Sequence, residues 1–444
     1  MTRLRALLPS RPLAAVLLLA ALHMLVFDRG LGGDGWAGFA TLESLADDGD
    51  LWLEDDHRGV MNGLVGGLHG HLVMQYPPGV LALDALPFLL GRGLDRALPE
   101  SLLADGIDLP PVGRVPRGVF LATAAIVLAR NAATLLGLWW IVLALRRLGV
   151  PEPAAAAAAG LTFFGGPLIF YSLVGMTHAP AFALASLLLL VLARQRQEGS
   201  LAQAFAAGAV VGAAVLLRYG SAALLAPALL AVSGRTPWRA RLACAAGFLL
   251  PLAVLPFWWR ATSGGWGFPS YGGAWGLSAA NPWNVLFYPV HGLFLFHPAL
   301  LLAAAALVAA AWREAVRRET GWGVIGCAWF LAVALLHGGW SEWANTGGYG
   351  QRFLIDALPA LAVGFAWFLE GSRRVVRLAG LGALTLFGYL LFFAAVGRLV
   401  PPPPPYPWPQ RLGDYSPLLH SPPTPAALAH GLREASFLVG RISR

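Results

Sequence analysis

Apolar residues in this chain come in long runs, not in the alternation or narrow stripes of a soluble fold, and the polar residues between the runs are unevenly distributed. Runs near 12–28, 120–145, 154–175, 178–193, 203–218, 220–234, 240–259, 292–312, 322–338, 353–370 and 376–397 approach the length a membrane-spanning helix needs, which predicts eleven spans. The segment 76–91, YPPGVLALDALPFLLG, is also apolar, but it falls short of the ~20 residues of a span and contains Asp84 and Pro87. It reads as a juxtamembrane helix lying at the outer interface, inside one long external loop, 28–117.

Arginines give the runs a direction, because short cytoplasmic loops retain positive charge. Arg146 with Arg147, Arg194 with Arg196, Arg235 to Arg241, Arg313 with Arg317 and Arg318, and Arg373, Arg374 and Arg377 all sit on one side if the eleven spans are drawn as above. The N-terminus, with Arg3, Arg5 and Arg11, then begins in the cytoplasm. The loops 28–117, 260–291 and 339–352 and the tail lie outside, and the last two of these loops are rich in the Gly and Trp that suit an interfacial belt. Residues 1–399 form the membrane domain. Residues 400–444 are a separate external tail, opening with the extended polyproline run PPPPPYPWP and continuing into a possible surface helix capped by Thr424 and Pro425.

Composition agrees with this class: 57% of the residues are hydrophobic and 12% charged, about half the charge of a soluble protein. The net charge of +8 comes from arginines beside apolar runs and not from a basic face, which excludes nucleic acid as a partner. The two cysteines, Cys244 and Cys327, lie within apolar runs, so neither a disulfide framework nor a zinc site is expected. His69 and His71, in LHGH, match no metal-ligand spacing.

Chemistry points to the outer face. Eight of the chain's 23 carboxylates lie between Asp34 and Asp56, directly after the first span. A carboxylate there is placed where a lipid-borne substrate meets water, and Asp34 is the candidate general base. Asp47, Asp48, Asp55 and Asp56 read as solvated loop charges, and Glu43, nine residues after Asp34, either as a group that orients the base or the acceptor or as a surface charge. Arg130, Arg218, Arg260 and Arg352 fall at outer ends of spans, where the charge rule does not call for them. Arg130 and Arg260 are expected to be structural, snorkelling to a lipid phosphate or pairing with a loop carboxylate. Arg352 closes the run GGWSEWANTGGYGQR, whose glycines free the backbone beside a guanidinium fork suited to phosphate. His178, in GMTHAP at the outer turn between the third and fourth spans, is a second polar intruder at the same level.

Several short segments together resemble a known family. Gly33-Asp34 opens the first external loop, Asp48-Gly49-Asp50-Leu51 and Tyr76-Pro77-Pro78-Gly79 follow in it, and His178-Ala179 marks the third outer turn. Leu216-Leu217-Arg218-Tyr219 ends a span, and HGLFLFHP and GGYGQRFLIDALP come late. Between about residues 12 and 397 the chain is similar to bacterial GT-C glycosyltransferases of the family 39 type, a class that includes protein O-mannosyltransferases and the aminoarabinose transferases of lipid A. The resemblance implies an all-α polytopic membrane protein, a GT-C-type bundle whose long first external loop contains juxtamembrane helices. It implies an enzyme of the bacterial inner membrane that moves a sugar from a polyprenyl-phosphate donor to a lipid, glycan or protein acceptor hydroxyl on the extracytoplasmic side, with inversion. Asp34 matches the family's first-loop catalytic aspartate. Arg352 and Arg218 then stabilise the departing phosphate, with His178, Glu43 and Tyr349 on the substrate side. Many relatives carry acidic residues where this chain has Gly35 and His178. Both departures weaken the case for a metal-dependent mechanism, and a divalent cation is left open. The competing readings are a transporter or flippase of polyprenyl-linked glycans, or a non-catalytic binder of them. A flippase should carry ionisable residues deep within several spans, whereas these span midsections are nearly free of charge.

Overall fold

A computed structural model describes residues 10–27, 31, 33–53, 64–66, 71–98, 107–109, 113–115, 120–233, 238–266, 280–287, 292–340, 351–370 and 374–399. The tail 400–444 and Tyr349 lie outside these residues, and of Asp34 only the backbone is described.

Each apolar run has become a helix, and the interruptions fall where the backbone chemistry requires them. The first run is the helix Arg11–Phe27. The third is split into Glu152–Phe164 and Leu168–Tyr171 at Gly165-Gly166-Pro167, where proline cannot donate to the helical ladder. The seventh, Trp238–Leu252, contains Pro251 and restarts as Leu255–Ser263. Two runs enter the bundle through 3-10 turns, Tyr219–Leu224 before Leu225–Ser233 and Arg352–Ala357 before Leu358–Phe368. Four helices, Phe120–Arg147, His178–Glu198, Trp238–Ser263 and Pro298–Val316, are long and apolar enough to cross a membrane by length and composition alone. Leu249, Leu250, Phe257, Val308 and Trp312 on the latter two are exposed, as lipid-facing side chains are. Leu201–Leu217 packs against Trp238–Leu252 through glycines: a Cβ on Gly208 would collide with the Cys244 carbonyl, and one on Gly247 with the Phe205 carbonyl. Small residues allow this backbone approach between membrane helices, where the hydrophobic effect gives no drive to associate.

The helix ends sort into two sets. Arg147 donates to Gln197 at 3.3 Å, whose amide donates back to the Arg147 carbonyl at 2.7 Å, and Arg196 donates to the carbonyls of Ala231 (3.4 Å) and Thr320 (2.6 Å). Four of the arginine-bearing connections thus meet at one end of the bundle. His178, Arg218 and His337 occupy the opposite ends of the same helices, ~30 Å away for a helix as long as His178–Glu198. If the arginine end is cytoplasmic, a cysteine replacing exposed Asp48 in a cysteine-free background should react with an impermeant thiol reagent added to intact spheroplasts, and one replacing Arg147 should not. Labelling at 147 alone would invert the topology.

Two helices cover the end opposite the arginine-bearing connections. The loop helix Gly33–Asp47 is followed by the helix Gly79–Ala97, which runs six residues beyond the expected end at 91. Its buried stripe, Val80, Leu81, Asp84, Phe88 and Gly91, lies on the bundle, while Leu86, Leu89, Leu90 and Leu94 are exposed. An acidic residue on the buried stripe with leucines outside is the pattern of a helix bedded in the interface, its polar face turned to protein. Arg92 pairs with Asp47, and Asp95 accepts from the first amides of the next helix, Leu121 and Ala122, at 3.3 Å each. Two antiparallel hairpins, Leu64–Gly66 with Leu72–Met74 and Ile107–Leu109 with Gly113–Val115, complete the described part of the loop.

Candidate functional site

The first turn of the loop helix is fixed by a glycine. A Cβ on Gly35 would collide with the Gly175 carbonyl and stand 2.9 Å from Arg130 Nη1, so the backbone beside Asp34 is pressed onto both groups. Arg130 is buried and fully engaged: Nε donates to Asp84 Oδ1 at 3.2 Å, Nη2 to Asp84 Oδ2, and Nη1 to the Gly175 carbonyl. Of the two structural roles open to Arg130 the pairing with a loop carboxylate is the one seen, and it locks together the loop helix, the helix Gly79–Ala97, the Phe120–Arg147 helix and the turn ahead of His178. Arg260 is structural as well, donating to the Gly264 carbonyl that ends its helix and lying 5.9 Å from the Trp266 ring.

Arg218, Arg352 and His178 come together. Arg218 caps the helix Leu201–Leu217 in extended backbone (φ −153°), at the helix end where a cation is favoured. Its guanidinium lies 5.9 Å from the Phe353 ring, and that of Arg352 lies 5.0 Å from the same ring. Arg218 Nη1 is 3.7 Å from Asp356 Oδ1, too long for a hydrogen bond. His178 is buried, its ring stacked on Tyr171 at 4.8 Å, and Arg218, Arg352, His337 and Arg130 all lie within electrostatic reach of it.

Residues that the sequence reading did not single out complete the cluster. His337, near the end of the helix Trp322–Gly338, stacks on Phe353 at 5.2 Å and 15°. Asp356 accepts from the Ser221 hydroxyl at 2.6 Å, and its carbonyl accepts from Trp329 Nε1 at 2.9 Å, which anchors the 3-10 turn that Arg352 opens. His337 had the same signature as His178, a polar residue at the outer end of an apolar run, and Asp356 stood inside the quoted motif GGYGQRFLIDALP.

The cluster holds more hydrogen-bonding capacity than it uses. Both ring nitrogens of His178 and of His337, Arg218 Nη1, Arg352 Nε and Asp356 Oδ1 are buried with no hydrogen-bond partner among the described residues. Each such group costs roughly 1–3 kcal/mol when left dry, so the arrangement suits a polar ligand. Among the described side chains of the cluster, two guanidinium groups stand against one carboxylate, with the Arg130–Asp84 pair neutral, which favours an anion. The residues around His178 are positively charged, and among the described residues no group of three or more His, Cys, Asp or Glu could hold a metal.

The remaining loop candidates fall elsewhere. Positions 34 and 43 lie on opposite faces of one helix, about 13 Å apart along its axis at 1.5 Å per residue, so Glu43 is not set to orient a base at Asp34. Asp50 is held below the usual carboxylate range by the Trp52 amide (2.9 Å) and the Ser44 hydroxyl (2.8 Å), and it serves to close the end of the loop helix. His71 stacks on Trp52 at 4.2 Å.

No protein-family model and no curated protein matches the sequence. Solved structures do. ArnT from Cupriavidus metallidurans bound to undecaprenyl phosphate is 18% identical, with a TM-score of 0.52 over 88% of this chain and 66% of that one. The apo state of the same ArnT is 16% identical, with a TM-score of 0.49 over 95% and 74%. The archaeal oligosaccharyltransferase AglB from Archaeoglobus fulgidus, in complex with an inhibitory peptide and a dolichol-phosphate, is 12% identical, with a TM-score of 0.47 over 94% and 63%. The first of these carries the fold: the chain shares the fold of the lipid-bound ArnT and spans 66% of that chain's length.

Proposed function

We propose that the protein is a GT-C glycosyltransferase that takes a sugar from a polyprenyl-phosphate donor and transfers it, with inversion, to an acceptor hydroxyl at the extracytoplasmic face of the inner membrane. The observation that carries this reading is the cluster of Arg218, Arg352, His178 and His337, whose buried, unpartnered nitrogens fit an oxyanion in a fold shared with a protein crystallised with undecaprenyl phosphate. The donor phosphate lies between the two guanidinium groups. The acceptor oxygen forms a bond to the anomeric carbon on the face opposite the phosphate, and the carbon–oxygen bond to phosphate breaks with its electron pair going to the phosphate oxygen. The hydroxyl proton passes to the Asp34 carboxylate. Polyprenyl phosphate is a stable anion and needs no strong acid to leave, so the work at the phosphate is electrostatic. No step is routed through a metal.

A flippase fits less well. Among the described residues the buried carboxylates and arginines are Asp84, Arg130, Arg218 and Asp356, all at one end of the bundle and none forming a path through it.

The reading is tested at Arg352. Arg352→Lys keeps the charge but loses the planar fork, and the contact it removes strengthens as charge develops on the phosphate. Turnover of a polyprenyl-phosphate sugar should fall about tenfold or more, the scale of one charge-assisted hydrogen bond, with donor KM changed less, and Arg352→Ala should lose more. Wild-type turnover in both variants would remove the phosphate role from Arg352.

A further inference from the structure

We infer that His337 is a direct ligand of the departing phosphate and makes the site grip a phosphomonoester more tightly than a phosphodiester. The inference rests on the phosphate reading above and adds a residue and a preference to it.

The argument starts from what His337 lacks. Buried histidines ordinarily hydrogen-bond, and His23, in the same bundle, has a nitrogen 3.0 Å from the Ile169 carbonyl. His337 is only 3% exposed, yet neither of its ring nitrogens has a partner among the described residues. Its ring is held in place by stacking on Phe353 and by Gly220, where a Cβ would collide with Cε1 and stand 3.0 Å from Nε2. The glycine admits the ring, and the stacking covers its face, which leaves the in-plane nitrogens as its available chemistry. Phe353 is also the ring beside which Arg218 and Arg352 lie; His337 is within electrostatic reach of Arg218, and His178 within reach of His337 and both guanidinium groups.

Charge bookkeeping assigns the imidazole its task. Arg218 and Arg352 against Asp356 leave one net positive charge, which the ionised Asp34 base offsets before reaction and frees when it takes the acceptor proton. When the bond from the anomeric carbon to the phosphate oxygen breaks, the electron pair stays on that oxygen, the acceptor proton goes to Asp34, and the phosphate becomes a monoester with a second charge. That charge meets no further guanidinium. A neutral imidazole carries one N–H, which donates to the phosphate oxygen without being transferred, and such a bond strengthens as the acceptor gains charge. The contact is therefore stronger in the transition state and product than in the bound donor.

The test uses purified full-length protein in detergent, titrated calorimetrically at pH 8 with decyl phosphate and with methyl decyl phosphate, which present a doubly and a singly charged headgroup on the same chain. Wild type should prefer the monoester. His337→Phe keeps the ring and its stacking but has no donor, and it should lower monoester affinity about tenfold while changing the diester by less than about threefold, as expected for one charge-assisted hydrogen bond. His337→Leu should do the same by a different packing. If the two probes weaken equally in both variants, or neither weakens, His337 is packing alone and the inference is wrong. If wild type binds neither probe, the phosphate site itself, and the proposed function with it, fails.

Discussion

Asp34→Asn should lower transfer by about 10²–10⁴-fold, the usual contribution of a general base, while leaving membrane insertion and binding of a lipid phosphate unchanged. The amide has nearly the shape of the carboxylate but cannot accept the acceptor proton. The location supports this role: Asp34 stands in the first turn of the helix Gly33–Asp47, where the backbone favours negative charge, and its neighbour Gly35 is pressed against Arg130 and the Gly175 carbonyl beside the His178 turn. Glu43→Gln, on the opposite face of that helix, should cost far less. The assay is a single-turnover measurement with a polyprenyl-phosphate sugar. Full activity of Asp34→Asn would remove the base from the account.

The second large effect is on stability. Asp84→Asn leaves the Arg130 guanidinium buried without its counter-charge, and breaking such a pair from one side typically costs about 3–5 kcal/mol. The thermal unfolding midpoint in detergent should fall accordingly. The double change Asp84→Leu with Arg130→Met should fall less than the sum of the two single changes, because two apolar groups leave no orphaned charge. Additive losses would show that the pair does not act as a unit.

Much of the fold could be read from the sequence because lipid imposes a simple rule: every span must be a long apolar helix, and arginines mark one side. The helix Gly79–Ala97 was legible as a helix but not in length, since Arg92 and Asp95 look like loop residues until Asp47 and the amides of Leu121 and Ala122 are seen to satisfy them. The hairpins have strands of three residues, too short for alternation to register. In the site, Arg218, Arg352 and His178 stood out because charge at the outer end of a span needs a reason. What joins them did not. Ser221 and Asp356 are 135 residues apart and Arg130 and Asp84 are 46 apart, and pairings of that range follow from helix packing and not from any local pattern. His337 was hidden because a lone histidine near a glycine-rich loop is unremarkable until both of its nitrogens are found buried and without partners.

The measurement that bears most directly on the central claim is an experimental structure of the protein with undecaprenyl phosphate. The phosphate should lie between the guanidinium groups of Arg218 and Arg352, within hydrogen-bonding distance of His337 or His178, with the Asp34 carboxylate facing the same cavity. A lipid phosphate bound at the arginine-rich end of the bundle, or one that leaves Arg218 and Arg352 without contact, would contradict the account.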